Sequence, residues 1–329
     1  MSVLQVNNIT DTGGSTLLGR RNAIINGNFD VWQRGTSQTA AGYGSADRWN
    51  YVLGGSTTQS ITQGVFAVGQ TDVPNNPKYY SRNVVTTGGT ADSLSVQIYR
   101  LEGVETFAGE TVTLSFYAKA DASKNIAVEF SQRFGTGGSP SGNVDGIGVT
   151  TVPLTASWQK HIVTVTIPSI TGKTLGTDGN DYLGVYIWLD AGSDSNARTN
   201  SLGNQSGTFE FAQVQLEAGS VATPFERRSY GEELALCQRY YETNGSTQNE
   251  EASLSVSSSV TNVKPNFQVT KRTIPTITYS NAFRGGVPFT PAQAIRPSEY
   301  HLGMIQNTSG SSYAPNISIS YDWTADAEL

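Results

Sequence analysis

The stretch Asn26-Gly27-Asn28-Phe29-Asp30-Val31-Trp32-Gln33-Arg34-Gly35 is answered far downstream by Gln213-Val214-Gln215-Leu216-Glu217-Ala218-Gly219. Between them the chain reads as strands and turns. A module whose first and last strands each carry a distinct run closes by bringing the two together, as β-sandwiches do.

The strands are legible from alternation. In residues 110–119, Val112, Leu114, Phe116 and Ala118 point one way, and Thr111, Thr113, Ser115 and Tyr117 the other. That is the period of two expected of a strand with one buried face. Ile126, Val128 and Phe130 repeat it, as do Val163, Val165 and Ile167, and Leu183, Val185, Ile187 and Leu189. Leu94, Val96 and Ile98 predict another buried set. Gly-rich connectors at 135–142 and 172–181 separate these runs. Many short alternating strands without helical crossovers imply an all-β, antiparallel sandwich.

No helix is expected before residue 229. Ser229-Tyr230-Gly231-Glu232 then fits a capping box. Tyr230, Leu234, Cys237 and Tyr241 recur at helical spacing and predict one apolar stripe. Residues 246–329 are strand-like but irregular, with alternation at Leu254, Val256 and Val260 and at Ile317, Ile319, Tyr321 and Trp323. Pro265, Pro275, Pro288, Pro291 and Pro297 suggest edge strands and loops there. Residues 1–21 are polar, with weak alternation at Leu4, Val6 and Ile9. They read as an extended arm, either a loose terminus or a segment that docks on a partner. The expected organisation is an arm at 1–21, a sandwich at 22–226, a connecting helix at 227–244 and a smaller β domain at 245–329.

Composition narrows the function classes. The net charge is −6, without a basic stripe, which argues against nucleic-acid binding. The lone cysteine, Cys237, excludes an intrachain disulfide and reads as a small core residue in the helix stripe. No apolar run approaches the roughly 18 residues of a membrane span. The N-terminus lacks a basic and then apolar leader, so synthesis in a cytoplasm without export is expected.

No nucleophile-elbow, zinc-protease, P-loop or paired-cysteine motif is present. His161 shares parity with Val163 and Val165 and reads as structural. Asp178, Asp181, Asp190 and Asp194 cluster in sequence, but their spacing fixes no pair across a cleft; loop solvation or a calcium site explains them more simply. No catalytic residue is assigned. Trp32, Trp49 and Trp158 read as core or frame. The best binding signal is Tyr182, Tyr186 and Trp188, which share the face opposite the aliphatic set, with Asp190 beside them. An exposed strip of that kind stacks on sugar rings while polar neighbours bond hydroxyls. The alternative is that a loop, the arm or a neighbouring subunit covers it.

Residues 22–35, Ala46-Asp47-Arg48-Trp49, Tyr79-Tyr80-Ser81-Arg82, residues 109–120 and residues 209–242 resemble one bacteriophage virion module. The module is a jelly roll like those of carbohydrate-binding modules, found in tail-fibre and appendage proteins. The resemblance covers about residues 1–242. It implies a non-enzymatic virion protein, assembled in the host cytoplasm, commonly a homotrimer. The arm, through Val3, Leu4, Val6 and Ile9, would attach it to other tail or virion proteins. The body and a variable tip would bind host surface glycan multivalently. A capsid-decorating protein and a glycan-degrading tailspike are the alternatives. In such jelly rolls the Asn-Gly-x-Phe opening often joins an Asp-Asp pair of the closing strand around a structural calcium. Here Ala212-Gln213 stand in that place, so neither a metal nor another cofactor is expected.

Overall fold

A computed structural model describes residues 21–245, 252–253, 260–261, 266–284, 287–288, 294–295, 298–301, 304–306 and 318–329. Val3, Leu4, Val6, Ile9, Leu254, Val256 and Ile317 lie outside the described residues. Two compact units emerge: Met1–Arg228 together with Leu329, and Ser229–Glu328.

Among the described residues, eleven strands build the first unit: β1 (Ser37–Gln38), β2 (Trp49–Gly54), β3 (Thr58–Val65), β4 (Tyr79–Thr86), β5 (Leu94–Glu102), β6 (Thr111–Ala120), β7 (Lys124–Arg133), β8 (Val144–Leu154), β9 (Gln159–Thr166), β10 (Tyr182–Ala191) and β11 (Gly207–Ala218). They form a six-stranded sheet, ordered β1-β3-β4-β11-β6-β9, and a five-stranded sheet, ordered β2-β5-β10-β7-β8. All these pairings are antiparallel. The fold is an antiparallel β-sandwich of the jelly-roll kind.

Alternation builds the shared core. Val112, Leu114, Phe116 and Ala118 of β6 are fully buried, as are Leu183, Val185, Ile187 and Leu189 of β10. Ile126, Val128 and Phe130 of β7 and Val163 and Val165 of β9 join them. His161 tilts against Phe116 with ring centroids 5.6 Å apart, and burial pushes its imidazole pKa down. The set at Leu94, Val96 and Ile98 behaves differently. Val96 and Ile98 are buried, but on the outer side of the five-stranded sheet, with Ala127, Tyr186 and Trp188. The inner side of β5 instead carries Tyr99 and Leu101.

The opening and closing runs meet, and a bulge makes the meeting possible. The register of β11 against β6 shifts between Ala212 and Gln215. Gln213 takes a positive φ of 51° there. The Val214 N–H is thereby turned to the Gly27 carbonyl, at 2.8 Å. The Ala23 N–H donates to the Leu216 carbonyl at 2.9 Å. Asn22 donates through Nδ2 to Val214 at 3.3 Å and accepts from the Leu216 N–H at 3.1 Å. Asn26 donates to the carbonyls of Val31 and Asp47 at 2.8 and 3.0 Å, which folds the opening run back on itself. Phe29 then stacks on Trp49 at 5.2 Å, and Trp49 meets Tyr99 edge-on at 5.1 Å. The segment beyond the closing run adds to the grip, because Arg228 donates to the carbonyls of Asn22 and Ile24.

In the second unit, a helix at Tyr230–Gln238 starts on a complete capping box between Ser229 and Glu232. Its buried residues are Glu233 and Cys237, while Tyr230 is exposed and Tyr241 lies in the strand Tyr241–Thr243. The expected single stripe of Tyr230, Leu234, Cys237 and Tyr241 is therefore corrected: the helix ends too early to carry it. Among the described residues, the strand Tyr241–Thr243 and the strand Thr276–Arg284 both flank the strand Ser318–Asp326 in one antiparallel sheet. Trp323 is buried against Phe267 at 5.8 Å. Lys271 is buried and paired with Glu242, and burial pushes its pKa down.

Gly27 has no room for a side chain, since a Cβ would sit 2.0 Å from the Val214 carbonyl oxygen. Gly27→Ala should therefore cost about 3 kcal/mol by overpacking. Gly142→Ala, where a Cβ meets nothing within 4 Å, should stay within about 0.5 kcal/mol. Thermal or urea unfolding of the two variants measures the difference.

Candidate functional site

The sandwich has two outer faces, and the chain treats them differently. On the five-stranded sheet, β10 carries Tyr182, Tyr186 and Trp188 outward, opposite its aliphatic set. Gly184 leaves space between the two tyrosines, for a Cβ there would lie 2.5 Å from the Tyr186 ring. The strip is not open. Tyr186 is 5% and Trp188 3% exposed. The cover is the excursion from β10 to β11, which holds a 3-10 turn (Ser193–Ser195) and a one-turn helix, α1 (Asn196–Thr199). No helix is expected there from the sequence, because one turn is too short to show a period. Arg198 of α1 lies 5.1 Å from the Tyr186 ring and 5.0 Å from the Trp188 ring. Its guanidinium pairs with fully buried Glu129, which also accepts from the Trp188 indole at 3.2 Å and the Gly146 N–H at 2.8 Å. Burial pushes the Glu129 carboxyl above its ordinary pKa, against the pull of Arg198.

Two of the expected aromatic contacts, Tyr186 and Trp188, are therefore the floor of a second, smaller core. Asp190 is corrected as well: it is fully buried, accepting from Thr57 at 2.9 Å and from the Gln205 N–H at 2.8 Å. Tyr182 alone of the four keeps partial exposure; burial and the neighbouring Tyr186 push its pKa up to about 12. Asp178 and Asp181 serve loops, accepting from Thr136 at 2.7 Å and from the Val104 N–H at 2.8 Å. Among the described residues, no three His, Cys, Asp or Glu side chains gather as a metal site would require.

The outer face of the six-stranded sheet is only partly covered: Ala212 and Ser115 at its centre are buried, while Arg82, Val84, Lys160 and Ile162 stay exposed. Strand register sets Arg82, Glu210 and Lys119 side by side on β4, β11 and β6. The adjoining row carries Ala212, Tyr117 and Lys160, and Tyr80 stands beside Gly64 of β3. Glu210 is buried and shared, 2.6 Å from Arg82 Nε and 2.9 Å from Lys119 Nζ. Three half-buried rings gather over these rows. Phe66 and Tyr80 are 4.8 Å apart, Phe66 and Trp158 5.2 Å, and Tyr80 and Trp158 5.4 Å. Phe66 follows β3 and Trp158 precedes β9, with three strands between them. A flat sheet would hold those flanks about 19 Å apart. Phe66 and Trp158 both lie just outside their strands, and from there rings from the two flanks meet across the face. Lys119 lies 5.5 Å from the Trp158 ring and Arg82 5.8 Å from the Tyr80 ring.

A recess of about 280 Å³ continues the second row, bounded by Tyr117, Lys160, Ser115, Gln213, Pro74 and Phe225. The segment after β11 forms its wall. Thr223 fixes that segment by donating to Glu217 through both its N–H (2.8 Å) and its Oγ1 (2.7 Å). The Glu226 N–H donates to Gln215 at 2.8 Å. Gln213, turned out by the bulge, donates to the Pro74 carbonyl at 2.6 Å.

Trp158, read as core or frame, is not in the core: it is half-buried on the outer face. The signal was present: it shares parity with Lys160, Ile162 and Thr164, opposite His161, Val163 and Val165, and Ile162 is 55% exposed. Tyr117 faces outward as alternation predicts. Tyr80 and Phe66 carried no such signal, because their meeting with Trp158 joins segments on opposite flanks of the sheet.

No protein-family model matches the sequence, and no curated protein matches it. Among solved structures the chain is similar to one described as "CBM4 structure and function", with 19% identity, 59% of this chain and 98% of that chain covered, and a TM-score of 0.31. A family 11 carbohydrate-binding module from Clostridium thermocellum, in complex with a β-1,3-1,4-mixed-linked tetrasaccharide, has 14% identity, 57% and 98% coverage and a TM-score of 0.33. The enzymatically active domain of bacteriophage CBA120 tailspike protein 4 has 13% identity and a TM-score of 0.33, over 60% of this chain and 21% of that one.

Removing the arginine from the covered strip should be costly. Arg198→Met leaves the Glu129 carboxylate buried without its cation, a loss of about 3 kcal/mol. The double variant Arg198→Met with Glu129→Gln should recover at least half of that. Equilibrium unfolding of the two single variants and the double variant measures the coupling.

Proposed function

We propose that this chain is a non-enzymatic structural protein of a bacteriophage virion, a tail fibre whose jelly roll holds host surface glycan. The observation that carries the binding reading is the open face of the six-stranded sheet. Ring faces suit the apolar faces of sugars, and donors beside them suit hydroxyl oxygens. Here the donors stand ready. Among the described residues, the Tyr117 hydroxyl and the Trp158 indole N–H make no hydrogen bond, and the only polar contact of Lys160 is the Thr223 carbonyl at 3.3 Å. Burial pushes the Tyr117 phenol pKa up, so it remains a donor at neutral pH. The covered strip at Tyr186 and Trp188 takes no part in this reading.

The virion role rests on the sequence. The run through residues 212–241 and the polar arm before Asn22 resemble tail-fibre and appendage proteins. In that role Val3, Leu4, Val6 and Ile9 attach the arm to other virion proteins. A homotrimer presents three such faces, and weak sugar contacts add through effective concentration. The residues 245–329 contribute a distal tip.

Affinity electrophoresis against a panel of bacterial surface and plant polysaccharides tests the binding face. At least one polysaccharide should retard the protein. Trp158→Ala should weaken that retention about tenfold without loss of the folded state. Absence of retention across the panel would sink the reading. Sedimentation of the full chain tests assembly: a species near three times 35.1 kDa is expected, and a monomer would weigh against a fibre.

A further inference from the structure

The open face has a charge unlike that of the chain as a whole. The protein carries −6, yet the exposed ionic groups of this face are cations. Arg82 and Lys119 share one buried carboxylate, Glu210, and their side chains remain 46% and 30% exposed. Glu217, the next carboxylate along β11, is buried beneath the segment it holds through Thr223. Lys160 is exposed, and no carboxylate lies within ion-pair distance of it among the described residues. It stands at the rim of the 280 Å³ recess, beside Tyr117 and across from Phe225 and Gln213.

We infer that this recess takes an acidic sugar, a uronic acid unit of a polysaccharide, with its carboxylate on Lys160 and its ring against Tyr117. The inference rests on the glycan reading above and deepens it. The recess is at the small end of ligand pockets, which begin at about 300 Å³. It therefore suits a single ring of a longer chain. Lys160 supplies a flexible point charge with three donors, which accepts a carboxylate in many poses. Tyr117, with its unengaged hydroxyl, supplies both a ring edge and a donor beside it. Gln213 is held at the floor by Pro74, so its position there is set before any ligand arrives. Arg82 and Lys119, one row away, meet the next acidic unit along the chain. A neutral glycan would leave Lys160 without an anion and would gain nothing from the positive face.

The test uses the full chain, alginate as a polyuronate, and carboxyl-reduced alginate as the neutral polymer of the same backbone. Alginate should be held at least about tenfold tighter than its reduced form, the worth of one charge-assisted hydrogen bond. Lys160→Gln should remove most of that difference, and Lys160→Arg should keep part of it. Raising the salt should weaken the alginate complex, because the charges are exposed. Equal retention of both polymers, unchanged by Lys160→Gln, overturns the acidic-sugar inference and leaves glycan binding standing. Alginate retention that survives both Lys160→Gln and Trp158→Ala marks diffuse attraction and also overturns it. Retention of neither polymer, while a neutral polysaccharide is held, overturns it again. If no polysaccharide is held at all, the inference and the glycan reading fall together.

Discussion

The contact between Gly27 and Val214 governs this structure. It joins residues nearly at the two ends of the sandwich through one short hydrogen bond, at 2.8 Å. That bond exists because β11 bulges at Gln213 and because residue 27 has no side chain. Asn22, Asn26 and Arg228 surround it with further hydrogen bonds, each satisfying backbone groups that would otherwise be buried without partners. A buried N–H or carbonyl left unpaired costs far more than a formed bond contributes. The opening run is therefore rich in Asn, and the closing run sets Gln213 and Gln215 between its buried Val214 and Leu216. The same bulge directs Gln213 toward the outer recess. Closure of the fold and the shape of its open face depend on one irregularity in one strand.

The two outer faces show how similar residue types lead to opposite outcomes. Both sheets present tyrosine, tryptophan and arginine outward. On the five-stranded sheet, Arg198 comes from a separate segment and settles over Tyr186 and Trp188, because Glu129 sits beneath as a buried counter-charge. Ring faces and carboxylate together hold the guanidinium, and the strip becomes interior. On the six-stranded sheet, the cations Arg82 and Lys119 rise from the strands themselves and are anchored to Glu210 from within the same row. There the rings of Tyr80 and Trp158 lie beside Arg82 and Lys119 and meet Phe66, and they stay half-exposed beside unengaged donors.

Much of the sandwich was legible from alternation alone. Residues 110–119 and 182–190 report their buried sides correctly, because a strand with one face in the core must alternate. The capping box at Ser229 was equally plain, since its hydrogen bonds involve residues only three apart. Val96 and Ile98 are buried as their alternation predicts, though on the side opposite the main core, a distinction invisible to any single strand. Failures came where distant segments decide the outcome. Trp158 was read as core or frame, although its parity with Lys160 and Ile162 pointed outward. The helix stripe failed because Tyr241 had already entered a strand.

By itself, the sequence determined the all-β class, the strand faces, the capped helix and the pairing of two distant runs. These follow from local stereochemistry and from periods that a short window contains. Only the tertiary structure decided which aromatic face is open. That choice depends on where Arg198 finds a buried carboxylate and on which segments bring their rings over the other sheet. Both are properties of residues far apart in the chain, and no local pattern encodes them.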